Sequence, residues 1–230
     1  MRTIGVIGGM SWESTAVYYR RLNEEVRAAL GAFHSAKLVL YSVDFQEIER
    51  MQMAGDWLTA GDLLAATACA LEAAGADFLI LATNTMHKVA STIERRAGIP
   101  LLHIVDATGA ALRAAGFTRV GLLGTRFVME DGFYAERLQA RYGVDVIVPD
   151  AAARAFVHRV IYDELCLGIL REDSRAHYRR VIADLVAQGA QAVVLGCTEI
   201  PMLIGADDAR VPLFDTTDIH VRAAIAKALE

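Results

Sequence analysis

Thr83 and Cys197 occupy equivalent places in an internal repeat, and a hydroxyl and a thiol are both groups that can carry protons. Gly75-Ala-Asp-Phe-Leu-Ile-Leu-Ala-Thr83-Asn-Thr85 aligns with Gly189-Ala-Gln-Ala-Val-Val-Leu-Gly-Cys197-Thr-Glu199, an offset of 197 − 83 = 114. Ile4-Gly-Val-Ile-Gly-Gly9 aligns with Val120-Gly-Leu-Leu-Gly-Thr125 at 120 − 4 = 116, and Ile99-Pro-Leu-Leu102 with Val211-Pro-Leu-Phe214 at 211 − 99 = 112. Three matches in one order at nearly one offset predict two similar half-domains. In each, a buried strand runs out into small polar side chains. Two such halves facing each other would make one cleft with a proton-handling group on each wall.

Gly196-Cys197-Thr198-Glu199 is the sharper motif. A cysteine is usually a small buried hydrophobe, and Cys69 and Cys166, inside helical apolar stretches, fit that reading. Cys197 instead sits where a strand ends and a helix starts. Backbone N–H groups there are expected to lower its pKa from the ordinary value of about 8.5, with Glu199 to tune or orient it. Thr83-Asn84-Thr85-Met86-His87 places four polar groups in five residues, which is costly unless they are satisfied. Helix capping by Thr83 or Asn84 is the plain alternative. Gly8-Gly9-Met10-Ser11 follows a strand and opens a helix, where free N–H groups favour an anion such as a small carboxylate. A tight turn alone is the other reading. A dinucleotide site is disfavoured, because the pattern is not Gly-x-Gly-x-x-Gly and no acidic ribose partner ends the second strand.

The remaining polar residues promise less. Gln52 could reach a substrate carboxylate from a loop. His34, His103, His158, His177 and His220 are scattered without metal-ligand spacing, so each reads as a surface or structural residue and no metal is expected. Asp44, Glu47 and Glu49 read as a solvated face, and Asp163 and Glu164 as helical residues facing water.

The elements that must position these groups are legible. Short apolar runs at 3–7, 37–43, 78–82, 101–105, 120–123, 144–148, 192–195 and 211–214 are continuous rather than alternating, the mark of strands covered on both faces. Helical stretches lie between them at 14–30, 60–74, 88–97, 107–115, 131–142, 153–170, 174–188 and 217–229, several followed by glycine. The pattern predicts an α/β architecture of mostly parallel sheets flanked by helices. The repeat divides it into a first domain, 1–98 plus 209–230, and a second, 99–208. Ligands of open α/β sheets bind beyond the carboxyl ends of the strands, where all these motifs lie.

The totals narrow the class. With 230 residues and 54 % hydrophobic composition, the chain can bury a substantial core without crosslinks. A net charge of −5 and no basic patch argue against nucleic acid as a partner. Three widely spaced cysteines with no Cys-x-x-Cys argue against a disulfide framework or a thiolate zinc site. No apolar run reaches the roughly 18 residues of a membrane span. Met1-Arg-Thr leads straight into a strand, so a cytoplasmic location is expected.

Gly8-Gly-Met-Ser-Trp-Glu-Ser-Thr15, Thr83-Asn-Thr-Met-His87 and Gly196-Cys-Thr-Glu-Ile200, with Leu123-Gly-Thr125 in support, resemble the cofactor-independent aspartate/glutamate racemase family over essentially the whole chain. The resemblance implies two pseudo-symmetric α/β domains with the active site between them, a homodimer, no pyridoxal phosphate, and an acidic amino acid as substrate. The family's usual mechanism uses two cysteines, one thiolate removing the Cα proton and the other thiol supplying one to the opposite face. Here the first cysteine is replaced by Thr83, which resembles a subgroup of restricted stereochemistry. Some aspartate racemases also carry a lysine near the segment Leu165-Cys-Leu-Gly168, where this chain has none.

An efficient acid or base has a pKa near the working pH, which a tuned cysteine meets and an unaided threonine does not. Cys197 is therefore expected to be the main base, acting on the L enantiomer, with Thr83 delivering or relaying the proton opposite. Met10, Ser11, Asn84, Thr85 and Thr198 are expected to hold the α-carboxylate and steady the enolate-like charge, with Thr125 also on the substrate-binding wall. Gln52 is assigned the distal carboxylate, and Glu199 or a backbone carbonyl the ammonium. Two rivals remain open: a decarboxylase of substituted malonates or a related isomerase, similar in fold and using one cysteine, and a non-catalytic binder of acidic amino acids.

Overall fold

The computed structural model describes residues 1–230 and separates into two compact units. The first unit holds 1–104 and 220–230, the second 105–219. The chain thus crosses at 104/105 and 219/220, whereas the repeat alone suggested 98/99 and 208/209. Sheet pairing explains the difference: strand 101–102 hydrogen-bonds within the first sheet and strand 213–215 within the second.

In the first unit the elements are β1 (Ile4–Gly8), α1 (Trp12–Leu30), β2 (Leu38–Ser42), α2 (Phe45–Ala54), α3 (Trp57–Ala73), β3 (Phe78–Leu81), a 3-10 turn (Thr85–Val89), α4 (Ala90–Arg96) and β4 (Leu101–Leu102). The strands form one parallel sheet in the order β2-β1-β3-β4. Every residue of the central strands β1 and β3 is buried, which is why both read as unbroken apolar runs. Their side chains alternate between two cores. Ile7, Leu79 and Leu81 pack with Leu64, Leu71 and Met86 on one face. Ile4, Val6, Phe78 and Ile80 pack on the other with Tyr18, Leu22 and Val26 of α1 and with Val221, Ala224, Ile225 and Ala228 near the end of the chain.

The second unit follows with α5 (Ile104–Ala114), whose first residue still belongs to the first unit, β5 (Arg119–Gly124), α6 (Arg126–Glu130), α7 (Phe133–Tyr142), β6 (Asp145–Ile147), α8 (Ala151–Asp163), a 3-10 turn (Leu165–Leu167), α9 (Glu172–Ala187), β7 (Ala192–Gly196), α10 (Ile200–Leu203) and β8 (Leu213–Asp215); α11 (Thr216–Leu229) starts in the second unit and from His220 onward belongs to the first. Its sheet is again parallel, ordered β6-β5-β7-β8. Leu123, Val193 and Leu195 anchor its core against Val157, Tyr178 and Leu185.

The two sheets reproduce the sequence repeat pair by pair. Ile4 pairs with Phe78, and Val120 with Ala192, giving offsets of 120 − 4 = 116 and 192 − 78 = 114. Leu79 pairs with Leu101, and Val193 with Leu213, giving 213 − 101 = 112. In each sheet the strand order reverses between the two central strands, and ligands of doubly wound sheets bind at the carboxyl ends beside such a reversal.

Several element boundaries differ from the sequence reading. Helix α2 was not expected; only Ile48 and Gln52 are fully buried along it, so its apolar stripe is thin, and Asp44 supplies the cap by accepting from the Gln46 N–H. The helix expected over 131–142 is α7, which starts at Phe133 after Gly132 takes a positive φ of 76°, and the short α6 before it was not expected. The helix expected over 153–170 stops at Asp163. The run at 101–105 is a two-residue strand, because Val105 already belongs to α5. No helix is long and apolar enough to cross a membrane.

Candidate active site

The carboxyl ends of β1 and β3 carry the first unit's candidate residues. Beyond β1, Gly9 has φ +92° and leaves no room for a side chain against the Val43 backbone. Its N–H donates to Thr15 Oγ1 (2.8 Å), whose hydroxyl donates onward to the Ser11 carbonyl (2.8 Å). Ser11 caps α1 by accepting from the Ser14 N–H. The two glycines thus make a tight, locally satisfied turn that leaves Met10 and Ser11 buried at 4 % and 2 % exposure.

Beyond β3, Thr83 is buried and both of its backbone polar groups are occupied. Its N–H donates to the Leu81 carbonyl (2.8 Å). Its carbonyl lies 2.7 Å from His87 Nδ1. Asn84 and Thr85 follow, both buried, at the start of the 3-10 turn, and Asn84 makes no side-chain cap there. Gln52 does not project from a loop. It lies on α2, buried, with its amide donating to Met86 Sδ (3.1 Å). Gln52 therefore packs onto the Thr83–His87 segment through Met86.

The second unit gathers Thr125, Cys197, Thr198 and Glu199 at the ends of β5 and β7, all buried. Gly124 and Gly196 are paired across these strands. A Cβ on Gly124 would lie 2.8 Å from the Gly196 carbonyl oxygen, so the two strand ends meet backbone to backbone. Thr125 caps α6, accepting from the Val128 N–H at 3.3 Å. Cys197 Sγ donates to Glu199 Oε2 at 2.9 Å, and Thr198 Oγ1 donates to the same oxygen at 2.7 Å.

This environment corrects the sequence expectation for the Cys197 thiol. Burial pushes its pKa well up, and the Glu199 charge and the sulfur of Cys166 push the same way. The Glu199 backbone N–H pulls in the expected direction and is outweighed. A thiol without water around it cannot stabilise its anion cheaply, so it rests protonated, donating to the carboxylate.

Other assignments are revised as well. His103 and His220 are not scattered: with His87 they form a buried group, ring centroids 4.5 Å (His87–His103) and 6.0 Å (His87–His220) apart. His220 accepts at Nδ1 from the Tyr18 hydroxyl (2.9 Å) and donates from Nε2 to the Leu102 carbonyl (2.8 Å). Burial lowers its pKa to about 4. Sequence separation hid this group; the only local signal was the Thr83–His87 spacing of four. No group of three or more His, Cys, Asp or Glu side chains is arranged to hold a metal ion. Cys69 and Cys166 are only partly buried, and Cys166 packs against the second unit's core. Glu164 does not simply face water: it accepts from Ser174 Oγ at 2.7 Å with its side chain 17 % exposed.

Comparison with known proteins converges on one family. A Yersinia pestis protein of known crystal structure, described as a candidate Asp/Glu racemase, is 56 % identical over the whole of both chains, with a TM-score of 0.93. An aspartate racemase homologue from Pyrococcus horikoshii OT3 is 34 % identical over the whole of both chains, with a TM-score of 0.86. The broad-specificity amino-acid racemase RacX of Bacillus subtilis is 21 % identical over 98 % of both chains. The sequence profile of Asp/Glu/hydantoin racemases matches residues 7–224. With that match over nearly its full length, and with the racemase-like sheets and strand-end motifs above, the chain belongs to the Asp/Glu/hydantoin racemase family.

Proposed function

We propose that the protein is a cofactor-independent racemase of acidic amino acids, aspartate or glutamate, in which Cys197 is the main base and Thr83 serves the opposite face of Cα. The Cys197–Glu199 hydrogen bond carries this reading. A buried thiol with a high pKa is a poor base by itself, but one already donating to a carboxylate has a place to send its proton. The sulfur's proton passes to Glu199, the thiolate takes the Cα proton, and the electron pair spreads into the α-carboxylate. Thr83 Oγ1 then gives a proton to the other face and is reprotonated through a relay to water.

Met10, Ser11, Asn84, Thr85, Thr125 and Thr198 hold the α-carboxylate in this scheme, and hydrogen bonds that strengthen as charge develops there lower the barrier. Gln52 takes the distal carboxylate by exchanging its contact to Met86. A backbone carbonyl receives the ammonium, since Glu199 is engaged by the thiol. Unlike proton carriers on the two faces favour the L enantiomer as substrate. Family resemblance supports a homodimer. Three free cysteines, one of them at the site, suit a reducing compartment such as the cytoplasm.

The deciding experiment is incubation with L-aspartate and L-glutamate in heavy water. The parent protein incorporates deuterium at Cα, and Cys197→Ser lowers that rate by about 10²–10⁴-fold, the usual share of a positioned acid–base group. No exchange with either amino acid, beside carbon dioxide release from a substituted malonate, would move the protein to decarboxylase chemistry. Unchanged amino-acid affinity in Cys197→Ser, with no exchange in the parent, would make it a binder.

A further inference from the structure

We infer that His87 is a positioning residue for the Thr83 wall, held as the neutral Nδ1–H tautomer so that its ring fixes the Thr83 carbonyl and hence the Thr83–Asn84 peptide. The inference rests on the role proposed for Thr83. It is carried by two hydrogen bonds with opposite demands. The Thr83 carbonyl, 2.7 Å from Nδ1, can only accept. The Ile104 N–H, 3.1 Å from Nε2, can only donate. One protonation state satisfies both: a proton on Nδ1 and a lone pair on Nε2. The imidazolium would set two N–H groups against each other at Ile104, and the other tautomer would break both bonds.

The surroundings favour the neutral ring. His87 is 3 % exposed. The titratable groups around it include His103 and His220, and through His220 the Tyr18 hydroxyl. His220 is itself neutral, as its pKa of about 4 requires. A neutral ring tied at both nitrogens has no role in moving protons. It ties Thr83, two residues beyond β3, to the start of α5, and so holds steady the two residues whose side chains follow, Asn84 and Thr85. In β7's counterpart of this segment the tie is made differently, by Glu199 gathering Cys197 and Thr198. Each unit therefore has its own device for stiffening a strand end.

Two substitutions separate the two hydrogen bonds. The amide nitrogen of asparagine falls near Nδ1 and can still donate to the Thr83 carbonyl. The amide oxygen of glutamine falls near Nε2 and can accept from Ile104, leaving Thr83 untied. His87→Asn is expected to keep kcat for Cα exchange within about threefold of the parent, whereas His87→Gln lowers kcat about ten- to hundredfold with little change in KM, the loss typical of a misplaced group. Equal kcat for the two variants would overturn the inference. A second measurement does not need activity: NMR of protein labelled at the histidine ring nitrogens. The expected result is a neutral Nδ1–H pattern for His87, and an Asn84 amide resonance displaced in His87→Gln but parent-like in His87→Asn. An Nε2–H or doubly protonated ring, or equal displacement in both variants, would overturn it. Failure of the parent to exchange Cα hydrogen would instead count against the racemase reading and leave the NMR result to judge His87.

Discussion

Cys197 Sγ donates to Glu199 Oε2 across 2.9 Å, with the Thr198 hydroxyl on the same oxygen. The carboxylate both accepts the thiol's hydrogen bond and, by its charge, discourages the thiolate from forming. Glu199→Gln separates these effects. Removing the charge moves the pH profile of Cys197 alkylation by iodoacetamide to lower pH. Removing the proton acceptor slows Cα exchange by about 10- to 100-fold, as expected for loss of a charged hydrogen-bond partner. An alkylation profile identical to the parent's would show that the Glu199 charge does not reach the sulfur. The sign for stability follows from the raised pKa: the neutral thiol favours the fold below its unfolded pKa of about 8.5, and that contribution is lost as pH rises further.

The unlike carriers make a stereochemical prediction. In Thr83→Cys both faces carry thiols, so the rate with the D enantiomer should rise toward that with the L enantiomer. Initial rates of deuterium incorporation into each enantiomer test this. A D-substrate rate no better than the parent's would remove Thr83 from the proton path.

His220 predicts an acid-sensitive first unit. Its folded pKa is about 4, against about 6.5 in the unfolded chain. The unfolded chain therefore binds the extra proton between these values. Stability is full above about pH 6.5 and falls as pH drops toward 4, by up to roughly 3 kcal/mol for this difference. His220→Gln keeps a donor for the Leu102 carbonyl and does not titrate. Urea unfolding at pH 7 and pH 4.5 should show a smaller difference between the two pH values in the variant. An equal difference in both proteins would place the acid sensitivity elsewhere.

Much of this molecule could be read from the order of its residues. The three repeat offsets of 116, 114 and 112 reappear as sheet pairings, because a buried parallel strand must be a continuous apolar run and ends where polar residues begin. The α/β class, the eight strands and the placement of the Thr83 and Cys197 motifs beyond strand ends all follow from that local pattern. Helix α2 escaped notice because one face of two buried residues is too thin a stripe to stand out from a charged loop. The histidine group escaped because residues 87, 103 and 220 are brought together only by sheet pairing and by the end of the chain packing back on the first unit.

The amino-acid order alone thus determined the class of fold, the duplication and the two unlike side chains at equivalent strand ends, since these depend on local periodicity and residue type. The protonation of the Cys197 thiol was decided by tertiary structure. Burial and a carboxylate folded back within hydrogen-bonding distance drive the Cys197 thiol upward in pKa, against the helix-start N–H effect that its sequence position suggests. Desolvation and through-space charge depend on everything packed around an atom, and no short stretch of sequence contains that information.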